Sequence, residues 1–555
     1  MPMLPGLPRG DALTKLTQIQ FGGYNHNLYA GDGEIYDMHN MTGDFAPVLS
    51  PREPRLLIKE LSKPNGVFAK DGLMWVDGAD VYYKGVKVGT ATDSPKTFGE
   101  LGAYIVILPD KKYYNILTGV FGSIEASASS VTGGVTFSNG ALYGVETNAN
   151  TLVAASVDFN AYFKAGDAIT ISGCTVHPEN NKTPIVREIS SDGHTLSFYA
   201  NVFTLDGTAG SPVAYTEPGA ITFERNMPAL DFICSNENRL WGCKGDEIFA
   251  SKMGDIFNWN VFDGLASDSW TVPVGSEGDF TGCVSYIGYP MFFKDGAIYK
   301  VLGTEPSNFE TSASFSSGVQ DGSGRSLTAA GDMLFYLSRN GVMSYTGSMP
   351  VRRYEMFGGV LYTDGVSGSD RRKYYISMLD EGASPHLFVF DTERGLWHRE
   401  DDARPIGFAY HDSNLYMLCD DGCLWTIGNI MNPPAEVLET ESVEWSVEFA
   451  DFSEGAPEKK GVTKFYMRLE MDEGATAELL IRYDSAGEWL RIWRRSADSE
   501  LSYPLLPKRS FTVPIIPRRA DHFRLRLTGE GGCKIYGMTR ELYLGSTQRS
   551  LRGRH

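Results

Sequence analysis

A chain of 555 residues with 61 Gly, 30 Phe, 28 Tyr and 9 Trp, only 21% of it charged, is too long for one small core and too aromatic to be disordered. Its 69 acidic residues outnumber 50 Lys and Arg, and the net charge of -19 repels phosphate and excludes a generally basic DNA-coating protein. No apolar h-region follows Met1, and no stretch approaches the roughly 18 apolar residues of a membrane span, so neither a signal peptide nor membrane insertion is expected.

Residues 1–62 read as an extended N-terminal arm. From residue 63 the chain alternates apolar and aromatic strands with tight polar turns. Leu73–Val76 leads through Asp77-Gly78 to Val81–Tyr83, and Tyr104–Leu108 leads to Tyr113–Leu117, which gives the first blades of a propeller over 63–122. Thirteen Asp-Gly or Asn-Gly dipeptides punctuate the sequence, among them Asp77, Asp192, Asp295, Asn340, Asp364 and Asp421. Such pairs tolerate the positive φ angles of hairpin turns between antiparallel strands. Residues 123–229 break the rhythm. They open with a Ser/Gly-rich stretch and continue as alternating strands around Asp192-Gly193, the pattern of a small inserted β-barrel carried on an exposed loop.

The unit returns over 230–430, with strands at Asp231–Cys234, Arg239–Gly242, Glu247–Ala250, Met291–Phe293, Ala297–Val301, Met333–Leu337, Val342–Tyr345, Lys373–Met378, His386–Asp391, Leu415–Leu418 and Leu424–Ile427. A period on the order of 40 residues is that of a four-stranded propeller blade, and about seven blades fit the whole. After Pro433-Pro434 the pattern changes. Phe465, Met467, Leu469 and Met471, then Phe523, Leu525 and Leu527, alternate with polar residues, so 431–555 reads as a β-sandwich with a basic tail. The fold class expected is therefore all-β. Residues 456–555 carry 19 Lys and Arg against 12 Asp and Glu, a net of +7, which leaves -26 on residues 1–455. Arg494, Arg495, Arg518, Arg519, Arg549, Arg552 and Arg554 mark that basic end as a surface for an acidic partner or an acidic copy of the same chain.

Signals for chemistry are sparse. The seven cysteines form no C-x-x-C pair and read as free thiols; Cys419 and Cys423 merely flank a turn. His26 and His39 near Asp37 are the tightest histidine grouping, and they read as part of a polar arm. Asp391 with Glu393, and Glu400-Asp401-Asp402, have the composition of a glycosidase pair, but among 69 carboxylates they read as solvated turns. Ser190–Thr195 departs from an Asp-box, and Phe257–Asn260 reads as packing at a blade edge. No P-loop, H-E-x-x-H helix or G-x-S-x-G elbow occurs, so no catalytic, cofactor-binding or metal-ligating residue is assigned and no cofactor is expected.

Two segments carry a resemblance over roughly the first 430 residues. Ser251-Lys252-Met253-Gly254-Asp255-Ile256-Phe257-Asn258-Trp259-Asn260 resembles a blade turn of β-propeller structural proteins of bacteriophage tails. Tyr36–Met41, followed by Leu49-Ser50-Pro51-Arg52, is similar to the opening of tail-hub and packaged-DNA-stabilisation propellers. The resemblance implies a non-enzymatic virion protein, assembled in the host bacterial cytoplasm, that forms a homo-oligomeric ring in a hub or nozzle below the portal and adaptor. Its partners would be other tail, adaptor and portal proteins, with DNA as a weakly contacted cargo and no membrane. The alternatives are a glycan-binding or glycan-cleaving propeller at the tail surface, and a cellular propeller that binds peptides.

Overall fold

The computed structural model describes residues 13–142, 145–199, 202–208, 211–454, 459–497, 508–516 and 518–544. Among them the regular structure is antiparallel strand with a few single 3₁₀ turns. Among the described residues no helix is long and apolar enough to cross a membrane. The chain divides into two compact units, 65–324 and 1–64 with 325–555.

The first unit holds four blades, each a four-stranded antiparallel sheet in chain order, spanning 64–90, 97–123, 232–273 and 282–314 (blades I to IV). Their central strands are apolar on both faces, because successive blades cover one another and blade II is packed from both sides. In Tyr104–Leu108, Ile105 and Ile107 pack with Met74 and Val81 of blade I, while Val106 and Leu108 pack with Ile233 and Leu240 of blade III. Between blades II and III lies the barrel-like insert. A five-stranded sheet, a three-stranded sheet and a two-stranded ribbon (Asp206–Thr208 with Ser211–Val213) make it up, and Phe137, Leu152, Phe159, Leu196, Phe198 and Phe223 belong to its core.

The second unit holds blades V (328–352), VI (363–399) and VII (405–427). Alternation works here as well: Tyr374 stacks on Phe335 of blade V at 4.7 Å, whereas Tyr375, one residue on, packs with Leu415 and Met417 of blade VII. Seven blade sheets in a chain of β-structure agree with the fold class read from the period. The outer strand of blade VII, however, is Leu56–Glu60 from the arm, paired to Cys423–Ile427, with Glu439–Thr440 added at its edge.

The sandwich also draws on the arm. One sheet runs Leu13–Gln18, Cys533–Leu544, Lys460–Met471, Lys508–Val513; the other runs Ile35–His39, Glu444–Phe449, Phe523–Glu530, Thr476–Tyr483, Ala486–Ser496. Phe465, Met467, Leu469, Phe523, Leu525 and Leu527 are buried between them, as their alternation requires. Residues read from sequence as an extended arm thus supply one strand to each sandwich sheet and one to blade VII.

The arm lies close to blade VI. A Cβ at Gly23 would stand 2.4 Å from the carbonyl oxygen of Trp397, so only glycine permits this approach. At Gly43 a Cβ would meet the His398 ring at 2.4 Å. His398 is 4% exposed, and burial, reinforced by the nearby Lys373 ammonium, pushes its pKa down from 6.5 to about 4.

The folded protein keeps this imidazole neutral where the unfolded chain would protonate it, so the unfolded state binds more protons between those two values. Stability is expected to fall by about 2 kcal/mol between pH 8 and pH 5 from this group. Urea unfolding of the wild type and of His398→Gln at both pH values checks it; the variant should lack that component, and equal pH dependence would refute the assignment.

Candidate functional site

The segment Asn40 to Arg55 builds a buried charged cluster. Asn40 adopts φ 55°, a left-handed conformation that asparagine tolerates, and this turns the chain between Ile35–His39 and Met41–Thr42. Its backbone N–H donates to the Glu400 carbonyl at 2.6 Å and its amide to the Glu444 carbonyl at 2.8 Å. The Asn40 carbonyl oxygen Oδ1 accepts from Arg52 Nε at 2.8 Å. Arg52 then grips Glu441 through both Nη atoms at 2.8 Å each. Arg55 forks to Asp401 at 2.6 Å and Glu400 at 2.8 Å.

Both arginine side chains are 5% exposed. Burial opposes the charge on Arg55, but Asp401 and Glu400 outweigh it and hold the guanidinium protonated well beyond its ordinary range. Burial likewise works against the Asp401 carboxylate, and Arg55 and Arg52 overcome it, which holds this group below the usual carboxylate range. Glu400 and Asp401 are therefore not solvated turn residues. They are fixed anions in the link between blades VI and VII, matched to arginines that precede the strand Leu56–Glu60. Beside this cluster opens a cleft of about 520 Å³, with Glu53, Glu441, Asp472, Glu530 and Lys534 on its walls.

Asp402 turns the other way, toward His386 at 3.2 Å and Arg399 at 2.7 Å, while Asp380 lies 3.0 Å from the same imidazole. These carboxylates, Asp402 first, raise the His386 pKa. Asp391 holds Arg394 at 2.7 Å and accepts from the backbone of residues 393 and 394, a closed turn. The His26 ring lies 4.2 Å from that of Tyr36, tilted against it, and His39 lies on the same strand as Tyr36. Among the described residues no group of three or more His, Cys, Asp or Glu is arranged to hold a metal ion. The seven cysteines are free, with Cys174, Cys243, Cys419 and Cys533 buried.

Arginines expected at a partner surface are spread over the sandwich. Arg494 lies 3.1 Å from Glu478 and is exposed, as is Arg495 beside it. Arg518 stands over the Tyr483 ring at 5.3 Å and Arg519 over Tyr543 at 5.6 Å. Arg549, Arg552 and Arg554 lie outside the described residues. Structure brings together others that sequence reasoning passed over: Arg482 and Arg526 stand over the Trp489 ring at 4.7 and 4.4 Å, and Arg524 and Arg526 pair with Glu448. Arg540 is buried against Glu454 at 2.7 Å. Part of the +7 counted from residue 456 is thus neutralised by carboxylates just before that point, because the strand Glu444–Phe449 belongs to the sandwich. The alternation of Arg524 and Arg526 with buried leucines was the available signal.

In the other unit, the segment 251–260 fastens the insert. Asn258 is buried; its amide donates to Asp255 at 2.6 Å and to Asp167 at 3.2 Å, and its Oδ1 accepts from the Ala168 backbone at 2.9 Å. Asp167 also pairs with Arg225, whose guanidinium lies 4.9 Å from the Phe257 ring. Phe257 meets Tyr104 and Tyr113 edge to face, and Trp259 donates to the Ile256 carbonyl at 3.0 Å. These aromatics serve packing.

No protein-family model matches the sequence, and no curated protein does. Solved structures to which the chain is similar include the computationally designed Ika8 protein, at 12% identity over 67% of this chain and 99% of that one with a TM-score of 0.31. Others are BamB from Moraxella catarrhalis, at 13% over 68% and 99% with a TM-score of 0.34, and Hsv2 from Kluyvelomyces marxianus, at 10% over 41% and 80% with a TM-score of 0.25. Likeness at this level carries no functional argument.

Arg55→Met removes the nearer cation from the buried Glu400 and the part-buried Asp401 and is expected to cost about 3 kcal/mol. Chemical denaturation followed by tryptophan fluorescence measures it. A loss below about 1 kcal/mol would mean that Glu400 and Asp401 are solvated after all.

Proposed function

We propose that this chain is a structural, non-enzymatic component of a bacteriophage tail, part of a ring-shaped hub or nozzle below the portal and adaptor through which DNA is retained and ejected. One observation carries the proposal: the residues of the resemblance fall on the joints of the molecule. Asn40 and Arg52 join the arm to the blade VI–VII link and the sandwich lead-in, and Asn258 joins the insert to the loop after the third strand of blade III. Such joints suit a part that bears load.

Charge supports the same proposal. An excess of -26 on residues 1–455 repels phosphate, which lets a duplex pass without being gripped. The sandwich contacts protein neighbours in this scheme, and the chain acts in the virion after assembly in the host cytoplasm.

Mass spectrometry of purified particles, together with native mass measurement of the isolated chain, tests it. The chain is expected in tails at several copies per particle and as a closed oligomer in isolation. Absence from tails, or release of reducing sugar from a host polysaccharide by the purified protein, would overturn the proposal.

A further inference from the structure

Leu28 and Tyr29 are each 98% exposed at the tip of a loop between Tyr24 and Ile35. Single exposed apolar residues are ordinary; two adjacent large ones on a braced loop are not. The bracing is dense. Asn25 Nδ2 and the Gly31 N–H both donate to Glu34 Oε2 at 2.8 Å, and Asn27 Nδ2 donates to Asn25 Oδ1 at 2.8 Å. On one side the His26 N–H donates to the Met356 carbonyl at 2.8 Å and Asn27 Nδ2 to the Glu355 carbonyl at 2.7 Å. On the other, Asp32 accepts from the Ser453 N–H and hydroxyl at 3.0 Å and from the Glu454 N–H. The tip is a preorganised knob, flanked by the carboxylates of Asp32, Glu34 and Glu355 and by the part-exposed Met356. Because its geometry is already set, docking it loses little further conformational entropy.

A surface of opposite character lies on the outer face of the sandwich sheet that contains Lys460–Met471. Cross-strand pairing aligns Lys15, Glu541 and Lys464 in one row, Thr17, Thr539, Tyr466 and Thr512 in the next, and Lys534, Glu470 and Lys508 in a third. Arg468 sits opposite Ser510, is exposed, and among the described residues makes no ion pair. Lys508 covers the Tyr536 ring at 3.2 Å, and Tyr536 donates to Glu470 at 2.7 Å. Five cations stand against two carboxylates, interleaved with tyrosine and threonine. Tyrosine and arginine are enriched where proteins meet, and a surrounding excess of one charge steers an oppositely charged partner onto them.

We propose that the Leu28–Tyr29 knob of one copy docks on this Tyr466–Arg468–Lys508 face of a second copy. Charge complementarity selects the occupant: an acid-flanked apolar knob and a basic aromatic sheet are both carried by one chain. The contact is head-to-tail, since the two surfaces differ, and repetition of a head-to-tail contact closes a ring when its rotation allows. The inference rests on the ring proposal and names the contact that would build it.

Photo-cross-linking of the full chain tests it, with Tyr29→p-benzoylphenylalanine in a mixture of isotopically labelled and unlabelled copies. Intermolecular links to residues 464–470, 508–512 or 534–539 are expected. Leu28→Lys with Tyr29→Lys, and separately Arg468→Glu with Lys508→Glu, should each weaken self-association at least tenfold while leaving the far-ultraviolet circular dichroism spectrum unchanged. Oligomers that survive both pairs of substitutions, with links mapping elsewhere, overturn the contact and leave the ring proposal standing. A chain that stays monomeric at every concentration overturns both.

Discussion

Arg52 and Arg55, buried against Glu400, Asp401 and Glu441, set the constraint on which the larger unit depends. Taking such charges out of water costs several kcal/mol per ion, which short charge-assisted hydrogen bonds such as the Arg52–Glu441 fork offset. A misplaced arm would leave the buried Glu400 and the part-buried Asp401 without cations. The cluster therefore tolerates one arrangement. Its position in the chain gives that selectivity reach: Leu56–Glu60 begins at the residue after Arg55, so seating the guanidinium also sets the register of this strand, Leu57 against Trp425. A slip of one residue would turn the strand's buried face outward.

Apolar and polar contacts divide the work in both units. Between blades, packing is carried by largely apolar strands such as Tyr374–Met378, where Tyr374, Ile376 and Met378 face one neighbour and Tyr375 the other. Hydrophobic burial is strong but undirected, and any blade could cover any other. Joints between unlike modules use directed contacts. Asn40, Arg52 and Arg55 connect arm, blade link and sandwich, and Asn258 with Asp167 and Arg225 connects insert and blade. Each group has few partners that satisfy it, so each joint can form in only one way.

Strand cores were legible because their signal is local. Lys373–Leu379, Pro385–Asp391 and Asn414–Cys419 each contain an aromatic or β-branched run that a reader of sequence meets directly. Turn chemistry was legible only in part. Asp295-Gly296 links two paired strands, as its dipeptide suggests. Asp364-Gly365 instead lies inside Thr363–Ser369, where Asp364 takes φ 51° at a shift in register, and Asn139-Gly140 sits at a similar shift. A residue tolerant of positive φ serves a bulge as well as a hairpin, and its neighbours in space decide which. Strands such as Leu13–Gln18 and Leu56–Glu60 were missed because their partners lie hundreds of residues away.

Composition, period and alternation by themselves determined an all-β chain of about seven blades, an interruption after the second blade, and a final module with one buried face per sheet. These properties follow from side-chain chemistry repeated at short range. Tertiary structure alone decided that the arm is woven into three sheets, that Glu400 and Asp401 are withdrawn from solvent and paired to arginines, and that Glu448 and Glu454 offset the arginines of the sandwich. The reason is physical: the burial of a charge and the partner of an edge strand depend on what the rest of the chain brings near, and no local pattern encodes that distance.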